Sequence, residues 1–129
     1  MIAIDTNIFV RYLVQDDPSQ GAIATNLLEN MLTSEHPGFV SLVAVLELDW
    51  VLRTQYKFSP LVAANAIAAL MSSPNLIFES DAAVRAALGF KHGDLADNIL
   101  HEVGQANGCT KTVTFDKKFA RHDGVELLA

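Results

Sequence analysis

The chain has 129 residues, half of them hydrophobic, with seven Gly and four Pro. This excludes disordered, low-complexity and collagen-like chains and suits a single domain, residues 1–129, with a radius of gyration near ~14 Å. One cysteine, Cys109, excludes a disulfide framework and a Cys-rich zinc site, and nine Lys and Arg against fifteen Asp and Glu give a net charge of −6, so the chain lacks the overall basic footprint of a nucleic-acid binder.

In chain order, residues 1–4 are a short apolar run that reads as a strand. No basic segment precedes it, so no secretory signal is expected, and the lone thiol suits the cytoplasm. Residues 8–14 read as a short helix. Asp16-Asp17-Pro18-Ser19 is a break and N-cap signal, after which Ile23, Leu27, Leu28 and Met31 recur at helical spacing over residues 20–32. Pro37-Gly38 is a turn, Phe39-Val40 a second strand ending at Ser41, and residues 42–53 a helix.

Ser59-Pro60 places proline at the first helical position of a segment running to Met71. With eleven residues from Leu61 to Met71, that segment is too short to span a bilayer, so no membrane association is expected. Ser72-Ser73-Pro74-Asn75 ends it, and Leu76-Ile77-Phe78 is a third strand. Asp81 caps a helix to Leu88. Gly93-Asp94 opens another, with Leu95, Ile99 and Val103 on one face, which Asn107-Gly108 closes. Thr112-Val113-Thr114 is a fourth strand, residues 116–120 a helical turn, and Val125-Glu126-Leu127 a small fifth strand. Strands alternating with helices predict an α/β fold: a parallel sheet of about five short strands with helices on both faces, and its sites at the carboxyl ends of the strands.

Five acidic residues need an explanation. Asp5 follows the first strand, as an N-cap or as a functional carboxylate. Glu47 has Val43, Ala44, Trp50 and Val51 as its helical neighbours, an apolar face on which an unpartnered carboxylate is costly. Arg53, the nearest basic residue, is six positions away on a different face. Asp94 and Asp97 share a face with His101, at the end of a helix where the dipole favours negative charge; Asp94 reads as the N-cap and Asp97 as the candidate for chemistry. Asp116 lies just past the fourth strand, as a cap or as a site residue. Two carboxylates ~5 Å apart repel by about 3 kcal/mol at an effective dielectric near 20. A convergence of Asp5, Glu47, Asp97 and Asp116 at one sheet edge therefore calls for protonation or a bridging cation. Oxygen ligands favour Mg²⁺ or Mn²⁺, which suits phosphodiester chemistry despite the negative net charge.

On these residues the chain resembles the PIN-domain family, and within it the VapC-type toxin ribonucleases of toxin–antitoxin pairs. The resemblance rests on Ile4-Asp5-Thr6-Asn7, on Glu47 within Leu46-Glu47-Leu48, on Asp94-Leu95-Ala96-Asp97 opening a helix, and on Thr112-Val113-Thr114-Phe115-Asp116 with Phe119. It covers essentially the whole chain. The resemblance implies a PIN-like fold and an acidic quartet of Asp5, Glu47, Asp97 and Asp116. Asp5 and Asp97 would be metal ligands, with Glu47 and Asp116 as further ones. Thr114 and Asn7 would support the quartet, and Asp94 would be a second acid found in some members only. It implies Mg²⁺- or Mn²⁺-dependent endonucleolytic cleavage of RNA by metal-activated water, leaving a 5′-phosphate, in a homodimer neutralised by a cognate antitoxin. One departure is that Asn98 and His101 replace the small apolar residues usual after Asp97. His101 reads here as a surface histidine, with the lining of a cleft as the alternative.

Lys111, Lys117, Lys118 and Arg121 cluster near Asp116, and Arg11 lies just beyond Asp5. They read either as contacts for an RNA backbone or as a solvated face. Trp50, Phe58 and Phe90 read as core or interface, as do Leu61, Ile67, Leu70 and Met71. Two other functions fit parts of the sequence. A receiver-like phospho-acceptor domain needs an Asp at the end of the third strand, where Phe78-Glu79-Ser80 stand with Asp81 beyond, and a lysine after the fifth, where none is found. A non-catalytic PIN-type domain would only bind partners.

Overall fold

Side-chain caps and prolines set where the helices begin. In the computed structural model, which describes residues 1–90 and 93–128, Asp17 accepts a hydrogen bond from Gln20 N (3.0 Å) and Pro18 opens α2, Pro18–Asn26. Ser41 accepts from Ala44 N (3.1 Å) at the head of α3, Leu42–Thr54. Ser59 accepts from Val62 N (3.2 Å), with proline next, at the head of α4, Pro60–Met71. Each cap satisfies a backbone N–H that the first helical turn leaves without a partner. The segment expected as one helix over residues 20–32 is helical but changes hydrogen-bond pattern, passing from α2 into a π-type turn at Leu27–Met31.

The chain divides into two compact units, Met1–Glu79 and Ser80–Ala129. The first contains β1, Ile2–Ala3; α1, Thr6–Val14; α2; β2, Gly38–Val40; α3; α4; and β3, Leu76–Phe78. Its three strands are parallel in the order β1-β2-β3, with Gly38 opposite Ile2 on one side and Leu76 on the other. Phe9, Val40, Val45, Leu48, Leu52, Ala63 and Ile67 are buried in this unit, each large side chain contributing roughly 1.5–3 kcal/mol by leaving water. One buried residue is charged: Asp49, 4 % exposed, is paired with Arg53 at 2.9 Å one turn along α3. Of the residues expected in the core or an interface, Trp50 and Leu61 are not in the core, being 57 % and 65 % exposed. Their helices turn other faces to the sheet.

The second unit contains α5, Asp81–Leu88; α6, Leu95–Ala106; β4, Thr112–Thr114; and β5, Val125–Leu127. Ala83, Val84 and Ala87 on α5 and Ile99 on α6 are buried where the two helices pack. β4 and β5 are parallel, with Thr112 opposite Val125 and Thr114 opposite Leu127. The turn expected at residues 116–120 is a 3₁₀ turn at Phe119–Arg121. The α/β class and parallel pairing expected from the alternation of strands and helices are thus present, with three strands hydrogen-bonded together in one unit and two in the other. Among the described residues no helix is long and apolar enough to cross a membrane.

Gly38 is dictated by space. A Cβ there would lie 2.9 Å from Ile4 Cγ1, 3.0 Å from Leu32 Cδ1 and 3.1 Å from Leu76 Cδ2. Gly38→Ala is expected to lower stability by about 1–3 kcal/mol, the usual cost of overpacking a core, and urea denaturation measures it.

Candidate active site

In the first unit, the end of β1 and the second turn of α3 each present a carboxylate. Asp5 occupies the N-cap position of α1 with extended backbone (φ −75°, ψ 151°), but its side chain makes no cap hydrogen bond and is exposed. The capping role open to Asp5 from sequence is therefore not taken up. Thr6, only 6 % exposed, donates its hydroxyl to Glu47 Oε1 at 3.2 Å. Glu47 is exposed, which corrects the expectation of a carboxylate pressed against an apolar face. The buried acid of this helix is Asp49, two positions on, and Arg53 serves it. Asn7 is exposed on the first turn of α1. Sequence reasoning passed over Thr6, because a threonine after an aspartate at a helix start reads as one more cap.

In the second unit, a cleft of about 450 Å³ is lined by residues that include Asp94, Asp97, Asp116, Lys118, Arg121 and His122. Asp94 caps α6, accepting from Ala96 N at 2.8 Å. Asp97 follows within the first turn. Burial pushes its carboxyl above the usual aspartate range, and the nearby charges of Asp94 and Asp116 push it further. Asp116 is held firmly. Its Oδ1 accepts from Lys118 N (2.8 Å) and Phe119 N (3.2 Å), and Thr114 Oγ1 accepts from its backbone N–H (3.0 Å). Thr114 thus supports Asp116 through the backbone. Asp94 and Asp116 both cap, and both also face Asp97.

The spacing between Asp97 and Asp116 is set from below. His101, one turn after Asp97, is 1 % exposed, and its Nδ1 shares a 2.7 Å hydrogen bond with Thr112 Oγ1 on β4. This corrects the reading of His101 as a surface residue: the bond ties the helix carrying Asp97 to the strand leading to Asp116. Gly124 fits against the same ring, since a Cβ there would meet His101 Cε1 at 3.0 Å and its φ is +80°. His122 stacks edge-on to His101 and to Phe90, with centroids 4.9 and 4.4 Å apart. Its buried Nε2 has no hydrogen-bond partner among the described residues.

The basic residues separate into committed and free. Arg11 pairs with Asp16 at 3.1 Å and donates to Gln20 Oε1 at 2.7 Å on an exposed surface. Lys111 is paired with Glu126. Lys117, Lys118 and Arg121 are exposed and form no ion pair among the described residues. Lys118 and Arg121, both in the basic cluster seen in the sequence, line the cleft that holds the acids.

The charges that act on Asp97 are carboxylates, and their mutual repulsion is the condition that a hard divalent cation relieves. Among the described residues no three such side chains are gathered closely enough to form a closed metal cage. The fit is therefore one of donor chemistry, with Asp94, Asp97 and Asp116 as the residues that would hold the ion.

A family model described as PIN domain matches residues 2–125. The chain belongs to the PIN domain family, a family of nuclease domains. No curated protein matches it significantly.

Two outcomes follow from this geometry. Because the Asp97 carboxyl is raised in the folded protein, its ionised form opposes folding at neutral pH, and the penalty disappears as pH falls below the range in which the unfolded carboxyl titrates. In EDTA, Asp97→Asn is expected to melt at a higher temperature than wild type at pH 7, with the difference shrinking toward pH 3, as read by thermal denaturation across that range. Thr112→Val leaves His101 Nδ1 buried without its partner and is expected to cost about 1–3 kcal/mol in urea denaturation.

Proposed function

From its place in the PIN family, we propose that this protein is an Mg²⁺- or Mn²⁺-dependent endoribonuclease, working in the cytoplasm as the toxin of a toxin–antitoxin pair. It acts as a homodimer and is neutralised by its cognate antitoxin. The observation that carries the nuclease reading is the half-buried Asp97, crowded by Asp94 and Asp116 in a cleft that Lys118 and Arg121 also line. A structural ion pair would have placed a base against Asp97; here the largest influences on it are burial and two more acids. Perturbed carboxylates of this kind cluster at functional sites.

A bound divalent cation supplies Lewis acidity toward a phosphoryl oxygen and neutralises the carboxylates. In the second unit Asp94, Asp97 and Asp116 would hold it; the family resemblance also gives Asp5 and Glu47 catalytic roles. The remaining work belongs to the side chains. Thr6 orients Glu47 through its Oε1. Thr114 and the backbone N–H groups of Lys118 and Phe119 orient Asp116. Lys118 and Arg121 bind phosphates on either side of the one cleaved, a contact that positions the chain without reading its bases. The toxin role and the antitoxin rest on the resemblance alone.

The receiver-like alternative loses its footing at the end of β3. There Glu79 Oε1 accepts from Leu42 N at 2.6 Å, and Asp81 is paired with Arg85 at 2.6 Å. Both acids near the acceptor position are engaged, and the family match lies elsewhere. The presence of Asp5, Glu47, Asp97 and Asp116 together gives the non-catalytic reading no support.

The test is cleavage of an RNA pool by purified protein, with Mn²⁺ and after chelation. Activity is expected to vanish in EDTA and return with Mn²⁺. Asp5→Asn, Glu47→Gln, Asp97→Asn and Asp116→Asn are each expected to lower it by about 100-fold or more, the usual scale for losing one electrostatic element of a site. Asp94→Asn keeps an equally good N-cap and isolates the charge, so a smaller loss is expected there. Full activity in all of these variants sinks the nuclease reading.

A further inference from the structure

Phe115 is 75 % exposed, the most exposed large apolar side chain among the described residues. Its place follows from the strand before it. Side chains alternate along β4, so Thr112 and Thr114 are half-buried, and Thr112 reaches His101, while Val113, 50 % exposed, and Phe115 face outward. The next residue is Asp116 of the acidic cleft. The neighbouring rings are already occupied: Phe90 and Phe119 both pack edge-on to His122, with centroids 4.4 and 6.5 Å away. Phe115 has no ring partner among the described residues.

The charges around it are equally uneven. The protein carries a net charge of −6, and Arg11, Arg53, Arg85 and Lys111 are each tied to a carboxylate. Lys117, Lys118 and Arg121 are not, and all three lie within six residues of Phe115 in the chain. An open aromatic face beside unpaired cations is the combination by which proteins hold unpaired nucleotides, the ring taking a base and the cations the backbone. A duplex offers no free base faces along its length, and a protein partner gives no reason for the cations and the ring to meet beside the acids.

We infer that Phe115 is a base-stacking platform that seats one unpaired nucleotide of single-stranded RNA next to the acidic cleft, with Lys117, Lys118 and Arg121 holding the flanking phosphates. This rests on the nuclease reading and adds to it a residue, Phe115, that holds substrate beside the cleavage point. Phe115 is a substrate-binding residue, and the preference it confers is for a base of any identity, since every base has a stacking face.

The experiment separates stacking from charge. Two fluorescein-labelled polymers are compared by anisotropy in EDTA: a 12-nucleotide RNA pool of randomised sequence, and a base-free ribose-phosphate polymer of the same length and charge. Wild type is expected to bind the RNA pool about tenfold more tightly, within the range of about 5- to 150-fold that one stacked base gives. Phe115→Ala is expected to bind both polymers at the base-free level, and Phe115→Trp to keep the preference. Arg121→Ala is expected to weaken binding of both polymers alike. Because Phe115 is exposed, its removal leaves the fold intact, which thermal melting checks. A wild-type protein without the preference, or a Phe115→Ala protein that retains it, overturns the inference. Cleavage of the same pool by wild type with Mn²⁺ then decides the nuclease reading separately: cleavage without base preference removes the platform alone, and base preference without cleavage removes the nuclease reading while leaving Phe115 as an RNA-binding residue.

Discussion

Asp97 is held half-buried between two other carboxylates, and much of the second unit exists to keep it there. Left to themselves, three acids would move apart into water. They stay together because each is fastened by something other than a counter-charge. Asp94 is fastened by the amide it caps, and Asp116 by two amides and the Thr114 hydroxyl. Asp97 is carried by a helix whose next turn is locked to β4 through His101 and Thr112. The His101–Thr112 hydrogen bond one turn below the site is the physical counterweight to the repulsion within it.

The same economy recurs in the first unit. Glu47 is exposed, and its orientation comes from a buried threonine hydroxyl rather than from a base. The base on its helix, Arg53, is given to Asp49, whose burial makes an unpaired charge costly. Structural acids in this protein are neutralised by arginines, as Asp16, Asp49 and Asp81 are. Among the candidate site acids, Glu47 is held by a hydroxyl, and Asp94 and Asp116 by backbone amides. That division leaves the site acids with lone pairs to spare and leaves Lys118 and Arg121, which line the same cleft, without an ion-pair partner among the described residues.

The distribution of apolar surface follows a related logic. Phe9, Leu52 and Ile67 are fully buried, while Phe115 is left in water beside the acids and the free cations. A ring in that position weakens no core and closes no gap. It takes its meaning from its neighbours along the chain, Asp116 and Lys117, which a strand end and a 3₁₀ turn hold in one short stretch.

Much of the fold was legible in the sequence, because helix caps, prolines and the alternation of apolar runs are local signals. Ser41, Ser59 and Pro60, Asp17 and Pro18, and the runs at Leu76–Phe78 and Thr112–Thr114 announce their elements without knowledge of anything distant. The acidic residues were legible too, since carboxylates just after strands and at helix starts stand out against apolar surroundings. What the sequence could not decide was which polar side chain meets which. His101 read as a surface residue, yet it is buried because Thr112, eleven positions later, supplies its partner. Arg11 carries no sign in the sequence of its pairing with Asp16, and Glu47 read as pressed against an apolar face but is exposed, held by a threonine 41 residues away. Local chemistry determines where a helix starts and which residues can act as acids. Pairing across space determines which charges are left over to act, and only the folded chain brings those pairs together.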